Sequence, residues 1–229
     1  MNTETYGMLD NYMLTCMDDS AHDKEHIYRV LYSALDIASY EENVDYDVLI
    51  SACLLHDIGR KEEFENPELC HEAVGSEKAY DYLISKGFHQ DYAEKVKDCI
   101  KNHRFRGGSV SMSLEAQILF DADKLDVTGA VGIARTLLYK GQVGEPLYSL
   151  TEQGNVSDGT DDKQPSFLQE YKYKLEDLYT KFHTKRATEV AAERKAAAKA
   201  FYESLLYEAS STYERGQKTL IDHLGGHKQ

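Results

Sequence analysis

Apolar and polar positions recur with helical spacing along almost the whole chain. Ile27, Val30, Leu31, Ala34 and Ala38 repeat at three- and four-residue intervals, behind the good helix starters Asp18, Asp19 and Ser20. Val48, Leu49, Ile50, Ala52, Cys53, Leu54 and Leu55 form a continuous apolar run, predicting a buried helix over 46–58 that stops at Gly59. Further helices are predicted from His71 to Lys86, with Gly87 as the stop, and from Gln90 to His103, where Tyr92, Ala93, Val96, Cys99, Ile100 and His103 share one face. Another begins at Ser113 and carries Ile118, Leu119, Phe120 and Leu125. Asn66-Pro67 and Gly107-Gly108 mark loops, and the polar, Gly-rich residues 141–166 read as one long flexible loop. Beyond it, Leu168, Tyr171, Leu175, Leu178 and Phe182 predict one closing helix, and Val190, Ala197, Phe201 and Leu205 another. Residues 1–17 read as a short docking helix on Met8, Leu9, Tyr12 and Met13, and the tail from Gly216 as frayed. No alternation is sustained enough for a strand. The expected fold is all-α: a helical core over 1–140, the loop 141–166, and C-terminal helices over 167–229 that pack on the core as one structural domain.

Composition agrees with that pattern and narrows the partners. Only three prolines and no tryptophan accompany abundant Ala, Leu, Glu and Lys, and 41% hydrophobic residues suffice for a core in 229 residues. No apolar run is long enough to span a bilayer, and the first ten residues lack the basic and apolar blocks of a signal peptide. Cys16, Cys53, Cys70 and Cys99 show no CxxC spacing and read as reduced thiols. The expectation is a cytoplasmic protein with no membrane partner. A net charge of −14 argues against a nucleic-acid polymer as partner. It also means that an anionic small molecule needs a local cationic pocket. Arg60, Lys61, Lys101, Arg104, Arg106 and Lys124 could line one, although each also suits an ordinary solvated surface.

Candidate chemistry gathers at the ends of the apolar helices. His56 and Asp57 finish the most apolar of them, where ionisable groups are costly unless paired or bound to a metal. His26 adjoins the first stripe, a position where a lone histidine is more often a hydrogen-bonded core residue than a ligand. His22, one helical turn earlier, suits a cap or an outer partner that orients a ligand. His103 continues the stripe of its helix, and His71 opens the helix before it. In Asp121-Ala-Asp-Lys-Leu-Asp126 three acids interrupt apolar sequence, and Asp123 lies between Leu119 and Val127 on an inward side. The resulting set is His26, His56, Asp57 and Asp123, with His71 and His103 as additions. Nitrogen and carboxylate donors without thiolates suit a hydrolytic Mn, Mg, Co, Fe, Ni or Zn centre. Such an ion lowers the pKa of water from ~15.7 to about 7 and neutralises charge on a phosphoryl oxygen.

The order His26, His56-Asp57, Asp123 resembles the H…HD…D signature of the HD-domain metal-dependent phosphohydrolases. His26-Ile-Tyr-Arg-Val, Leu54-Leu-His-Asp-Ile-Gly-Arg60 and Asp121-Ala-Asp-Lys-Leu-Asp126 each resemble one of the family's segments, over about residues 18–140. Asp123-Lys-Leu-Asp-Val-Thr-Gly-Ala-Val-Gly-Ile-Ala-Arg-Thr136 and the helical C-terminal third are similar to the bacterial YedJ/YpgQ-type group. The resemblance implies an all-α bundle with a divalent metal held by His26, His56, Asp57 and Asp123. It implies hydrolysis of a small nucleotide-like phosphate, with nucleoside triphosphate pyrophosphohydrolysis suggested by the closer group. Asp57, Arg60 and Lys124 are the expected catalytic groups: Asp57, or alternatively Asp123, accepting a hydrogen bond from water, and Arg60 and Lys124, with Arg104 as a further candidate, holding phosphate oxygens. His71, His103 and Arg104 are expected to touch a second metal or the substrate. A two-metal cyclic-dinucleotide phosphodiesterase ranks lower, since Arg104-Phe-Arg-Gly-Gly108 stands where that group carries Gly-Tyr-Pro. A di-iron oxygenase, a non-catalytic nucleotide sensor and a homodimeric state stay open.

Overall fold

The computed structural model describes residues 1–17, 24–104 and 112–225. Ten α-helices occupy them: α1 (Thr3–Met17), α2 (Lys24–Ala38), α3 (Tyr46–Leu55), α4 (Arg60–Glu65), α5 (His71–Ser85), α6 (Gln90–Lys101), α7 (Leu114–Leu125), α8 (Gly129–Gln142), α9 (Phe167–Glu170) and α10 (Lys185–Gly225). No strand is present among the described residues; a single isolated bridge pairs Leu150 with Val156. The fold is all-α, as its spacing predicts. No helix of the described residues is long and apolar enough to cross a membrane.

Contacts divide the chain into two compact units, Met1–Asp126 with Phe182–Thr188, and Val127–Lys181 with Glu189–Gln229. In the first unit α3 is the central element. Its residues Val48, Leu49, Ala52, Cys53, Leu54 and Leu55 are all buried, as befits a helix that is apolar all round. Asp45 caps its start, accepting from Val48 N at 3.2 Å. Helices α1, α2, α6 and α7 pack against it, and α5 lies on α6. The buried faces of α2 (Ile27, Val30, Leu31, Ala34) and α6 (Ala93, Val96, Cys99, Ile100) are the stripes read from sequence. Ser113 caps α7 by accepting from Ala116 N.

Several boundaries differ from expectation. The charged stretch after Gly59 folds as the short helix α4, and residues 129–142 form α8 behind a Gly129 with φ of 62°. The predicted helix through Leu168 and Phe182 is broken into α9, a π turn (Tyr171–Leu175) and a 3-10 turn (Leu178–Thr180). The tail from Gly216 continues α10 to Gly225 instead of fraying. Within the second unit, Tyr171 stacks on Tyr202 and Phe167 meets Phe201 edge-on, so π–aromatic packing fixes the broken segment against α10. Residues 141–166 hold hydrogen-bonded turns: Ser149 and Ser157 both donate to Asp162, and Tyr202 donates to Asp158 O.

The fully buried Asp121 ties residues 182–188 to α7. It accepts from His183 N (2.9 Å), Thr184 N (2.7 Å) and Thr184 Oγ1 (2.8 Å), and Thr184 in turn accepts from Ala187 N in the first turn of α10. Removing the carboxylate strands the two buried Thr184 donors and loses the bond from His183 N, each charge-assisted bond being worth about 1.5–3 kcal/mol. Asp121→Ala is therefore expected to lower the stability of the metal-free protein by roughly 2–3 kcal/mol, measured by denaturant unfolding. His183→Ala, which keeps the backbone donor, is expected to change it much less.

Candidate metal centre

α3 ends at Leu55, and residues 56–59 turn tightly into α4, with Arg60 N donating to Asp57 O at 3.0 Å. Here the start of α5 crosses close against the turn. A Cβ on Gly59 would lie 2.4 Å from His71 O and 2.6 Å from Gly75 N, so only glycine lets the two backbones meet. That contact seats His71, the first residue of α5, beside Asp57. His103 follows the last turn of α6, His26 projects from the first turn of α2, and Asp123 from the last turn of α7.

Among the described residues three groups of donor atoms result, one of Glu63, His71 and Glu72 around the start of α5 and two that meet at the junction. His26, His56 and Asp123 present ligating atoms that all lie within 4.8 Å of one another, and Asp57, His71 and His103 do the same. In the first, His26 Nε2 is 3.2 Å from Asp123 Oδ1 and 3.4 Å from His56 Nε2. Asp57 spans both: its Oδ2 is 3.5 Å from His26 Nε2 and 3.7 Å from His56 Nε2, while its Oδ1 is 3.4 Å from His71 Nε2 and 3.8 Å from His103 Nε2. Asp57 Oδ1, His71 Nε2 and His103 Nε2 are buried and make no hydrogen bond among the described residues. Buried polar atoms without partners are rare in native proteins and ask for an unseen one. Asp123 is the most open donor, with 23% of its side chain exposed against 0–4% for the others, so the mouth of the cluster lies on its side.

Every imidazole is oriented through its other nitrogen. His26 Nδ1 lies 2.7 Å from Asp126 Oδ2, His56 Nδ1 2.8 Å from Cys53 O, His71 Nδ1 2.7 Å from Glu63 Oε2, and His103 Nδ1 2.5 Å from Ile100 O. With Nδ1–H donating outward, the neutral form of each ring turns an Nε2 lone pair inward, as a cation requires; His26, which the carboxylates hold charged without an ion, would have to give up its Nε2 proton first. Asp126 is itself gripped by Arg29, whose Nε reaches Oδ1 at 2.7 Å and Nη2 reaches Oδ2 at 3.1 Å. Asp126, Glu63 and Arg29 carried no role in the sequence reading. The available signal was spacing: Arg29 follows His26 by one helical turn, as Asp126 follows Asp123. His22, the residue proposed from sequence for such a task, and Arg106 lie outside the described residues.

The expected phosphate-holding cations occupy varied places. Arg60 Nε is 3.0 Å from Asp57 Oδ1, and its Nη1 is 3.8 Å from Glu63. Lys124 Nζ sits 4.9 Å over the Phe120 ring and 5.5 Å over Phe182. Arg104 is exposed, with Nη1 at 3.3 Å from His71 Nδ1. Burial alone would raise the carboxyl of Asp57, but Arg60, His56 and His26 outweigh it and hold Asp57 well below the usual range. Asp123 is likewise held low, with His26 overcoming its burial. Burial pushes His56 and His71 down to about 4, with Arg60 adding to the effect at His71. Burial also opposes charge on His26, yet its hydrogen bonds to the carboxylates of Asp123, Asp126 and Asp57 raise it to about 10.

An all-nitrogen-and-oxygen donor set, carboxylates kept ionised and three buried donor atoms without a hydrogen bond together fit a divalent cation. The HD domain family model matches residues 24–128, which contain all of these side chains. The Bacillus subtilis protein YpgQ is 30% identical over 184 residues, covering 77% of this chain and 79% of that protein. The crystal structure of YpgQ in complex with ADP superposes with a TM-score of 0.68 at 27% identity, over 89% of this chain and 97% of that one. An HD-superfamily hydrolase from Bacillus thuringiensis matches with a TM-score of 0.67 at 27% identity, over 90% and 96%. The chain belongs to the HD domain family, as a homologue of YpgQ. It is an HD-type hydrolase, a metal-dependent phosphohydrolase whose cofactor is a divalent metal ion.

Two predictions follow from this geometry. Gly59→Ala forces a methyl into the backbone of α5, and overpacking of that kind costs about 1–3 kcal/mol. Denaturant unfolding is expected to show that loss, whereas Gly7→Ala, with nothing within 4 Å of the added Cβ, is expected to be neutral or stabilising. The stability of the metal-free protein is also expected to peak near neutral pH. His56 and His71, held at about 4, contribute stability fully present above about 6.5 and lost as pH falls toward 4. His26, held at about 10, contributes stability present below about 6.5 and lost as pH rises through 10. Unfolding free energies measured from pH 4 to 10 in the presence of chelator check both limbs; a curve rising steadily across that range would contradict them.

Proposed function

We propose that this hydrolase acts on a small nucleotide-like phosphate, with cleavage of a nucleoside triphosphate to the monophosphate and pyrophosphate as the leading reaction. His26, His56, Asp57 and Asp123 are the ligands of its divalent metal. The observation that carries the metal assignment is the convergence on Asp57 of buried donors that make no hydrogen bond, with the cationic side chain of Arg60 paired to its Oδ1. Binding of ADP by the relative YpgQ supports a nucleotide as substrate class. When bound, the ion supplies an acidified water and offsets charge developing on phosphoryl oxygens.

The chain's own residues divide the remaining work. Asp57 offers Oδ2 to the His26 and His56 side and Oδ1 to the His71 and His103 side, so one carboxylate holds both halves in register. Being held ionised, it is also the group best able to accept a hydrogen bond from the attacking water. Arg60, fixed against Asp57, offers a planar fork for phosphate oxygens, and Lys124, poised over two aromatic faces, a point charge. These cations answer the problem posed by the chain's acidity, since a substrate of several negative charges needs a local positive field. Arg104, exposed and 3.3 Å from His71 Nδ1, is a further cation within reach of the second donor group.

A second reading is favoured by a specific observation. His71 and His103 make no hydrogen bond at Nε2, and with Asp57 they can hold a second ion beside the first, as in the two-metal phosphodiesterases. Metal content separates the two: one equivalent per chain for the first reading, two for the second.

The test is release of phosphate and pyrophosphate from a panel of nucleoside mono-, di- and triphosphates and cyclic dinucleotides with Mn, Mg or Co. Pyrophosphate release from triphosphates is the expected result. Asp57→Ala is expected to abolish both metal content and turnover, and His223→Ala, far out on α10, to change neither. Wild-type protein that binds metal yet turns over nothing in the panel would overturn the nucleotide assignment.

A further inference from the structure

Four imidazoles face the centre, and they are oriented in different ways. His56 and His103 each lean on a carbonyl three residues back in their own helix, a purely local arrangement. His71 uses Glu63, from the adjoining α4. Only His26 depends on a side chain delivered by another ligand-bearing helix: Asp126, at the C-terminal cap of α7, three residues beyond Asp123. A carboxylate in that position is free to swing about its own χ2 unless something holds both oxygens. Arg29 does so. Its Nε binds Oδ1 at 2.7 Å and its Nη2 binds Oδ2 at 3.1 Å, and Oδ2 is the same atom that lies 2.7 Å from His26 Nδ1. Arg29 and His26 share one face of α2, one turn apart, so the fork closes a loop that runs α2, α7 and back to α2.

We infer that Arg29 is a positioning residue of the metal centre. By locking Asp126 it fixes the tautomer and direction of His26 and the spacing between the two helices that carry His26 and Asp123. The inference rests on the metal assignment above. Two features separate this role from that of an ordinary surface ion pair. Asp126 is buried, so loss of a charged partner there is costly, whereas exposed pairs are worth about 0–1 kcal/mol. The fork also requires planarity, which lysine lacks. α2 carries a natural control in the pair Arg186–Asp36, another guanidinium on a carboxylate, which sits at an exposed aspartate away from the donors.

The test is the dissociation constant for Mn²⁺, by competition with a fluorescent chelator at fixed pH, together with unfolding of the same proteins in the presence of EDTA. Outer partners of metal-bound histidines typically govern affinity by about 10–100-fold. Arg29→Gln is expected to weaken Mn²⁺ binding within that range, Arg29→Lys to fall between it and wild type, and Arg186→Gln to match wild type. Affinity of Arg29→Gln within twofold of wild type would overturn the inference. So would full recovery in Arg29→Lys, which would mean that charge and not the fork matters. Equal loss of affinity in Arg186→Gln would overturn it as well, by reducing the effect to general destabilisation of α2. Asp57→Ala marks the separate failure of the metal assignment itself: if that variant binds Mn²⁺ as tightly as wild type, the centre lies elsewhere.

Discussion

Two carboxylates and four imidazoles share a largely buried junction between helices, and the rest of the first unit is arranged to make that tolerable. Charged groups taken out of water cost several kcal/mol each unless compensated. Here the compensation is incomplete among protein groups alone. His26 offsets part of the charge on Asp57 and Asp123, and Arg60 part of that on Asp57, yet Oδ1 of Asp57 and two imidazole nitrogens keep no hydrogen-bond partner. A fold that buries such a set without a cation would be carrying an uncompensated penalty. With a divalent ion, the same donors become the reason that α2, α3, α5, α6 and α7 converge where they do.

That constraint explains features that packing alone does not. Gly59 and Gly75 let α5 approach the turn after α3 until backbone meets backbone, which aliphatic packing would not demand. Each Nδ1 has an acceptor outside the cluster, so that no Nε2 is left to choice of tautomer. The outer partners differ in how far they reach, from a carbonyl one turn back to a carboxylate on another helix. The differences place the most tertiary dependence at His26 and the least at His56 and His103.

Much of this was legible in the sequence, for a physical reason. A helix that is apolar all round and ends in His56-Asp57, and an acid placed between Leu119 and Val127, break the hydrophobic pattern only where chemistry needs them to. Periodicity likewise located the buried faces of α2 and α6. It failed where short-range signals are weak. α4 is too short and too charged to show a stripe. The π turn at Tyr171–Leu175 inserts an extra residue that a 3.6-residue template reads straight through. The end of α10 is exposed on nearly every side, so nothing in its pattern distinguishes helix from frayed tail. Outer partners were missed because one carboxylate in a cluster of three looks like another until the fold assigns them: Asp121 caps the start of α10, Asp123 faces the centre and Asp126 orients His26.

The central claim is that these donors close on a cation. Crystals grown or soaked with Mn²⁺ and measured at the manganese absorption edge test it most directly, because anomalous scattering locates the ion without reference to activity. The account predicts a strong peak bounded by His26, His56, Asp57 and Asp123, with any second peak bounded by Asp57, His71 and His103. A protein saturated with Mn²⁺ whose anomalous peaks all lie away from Asp57 would contradict it.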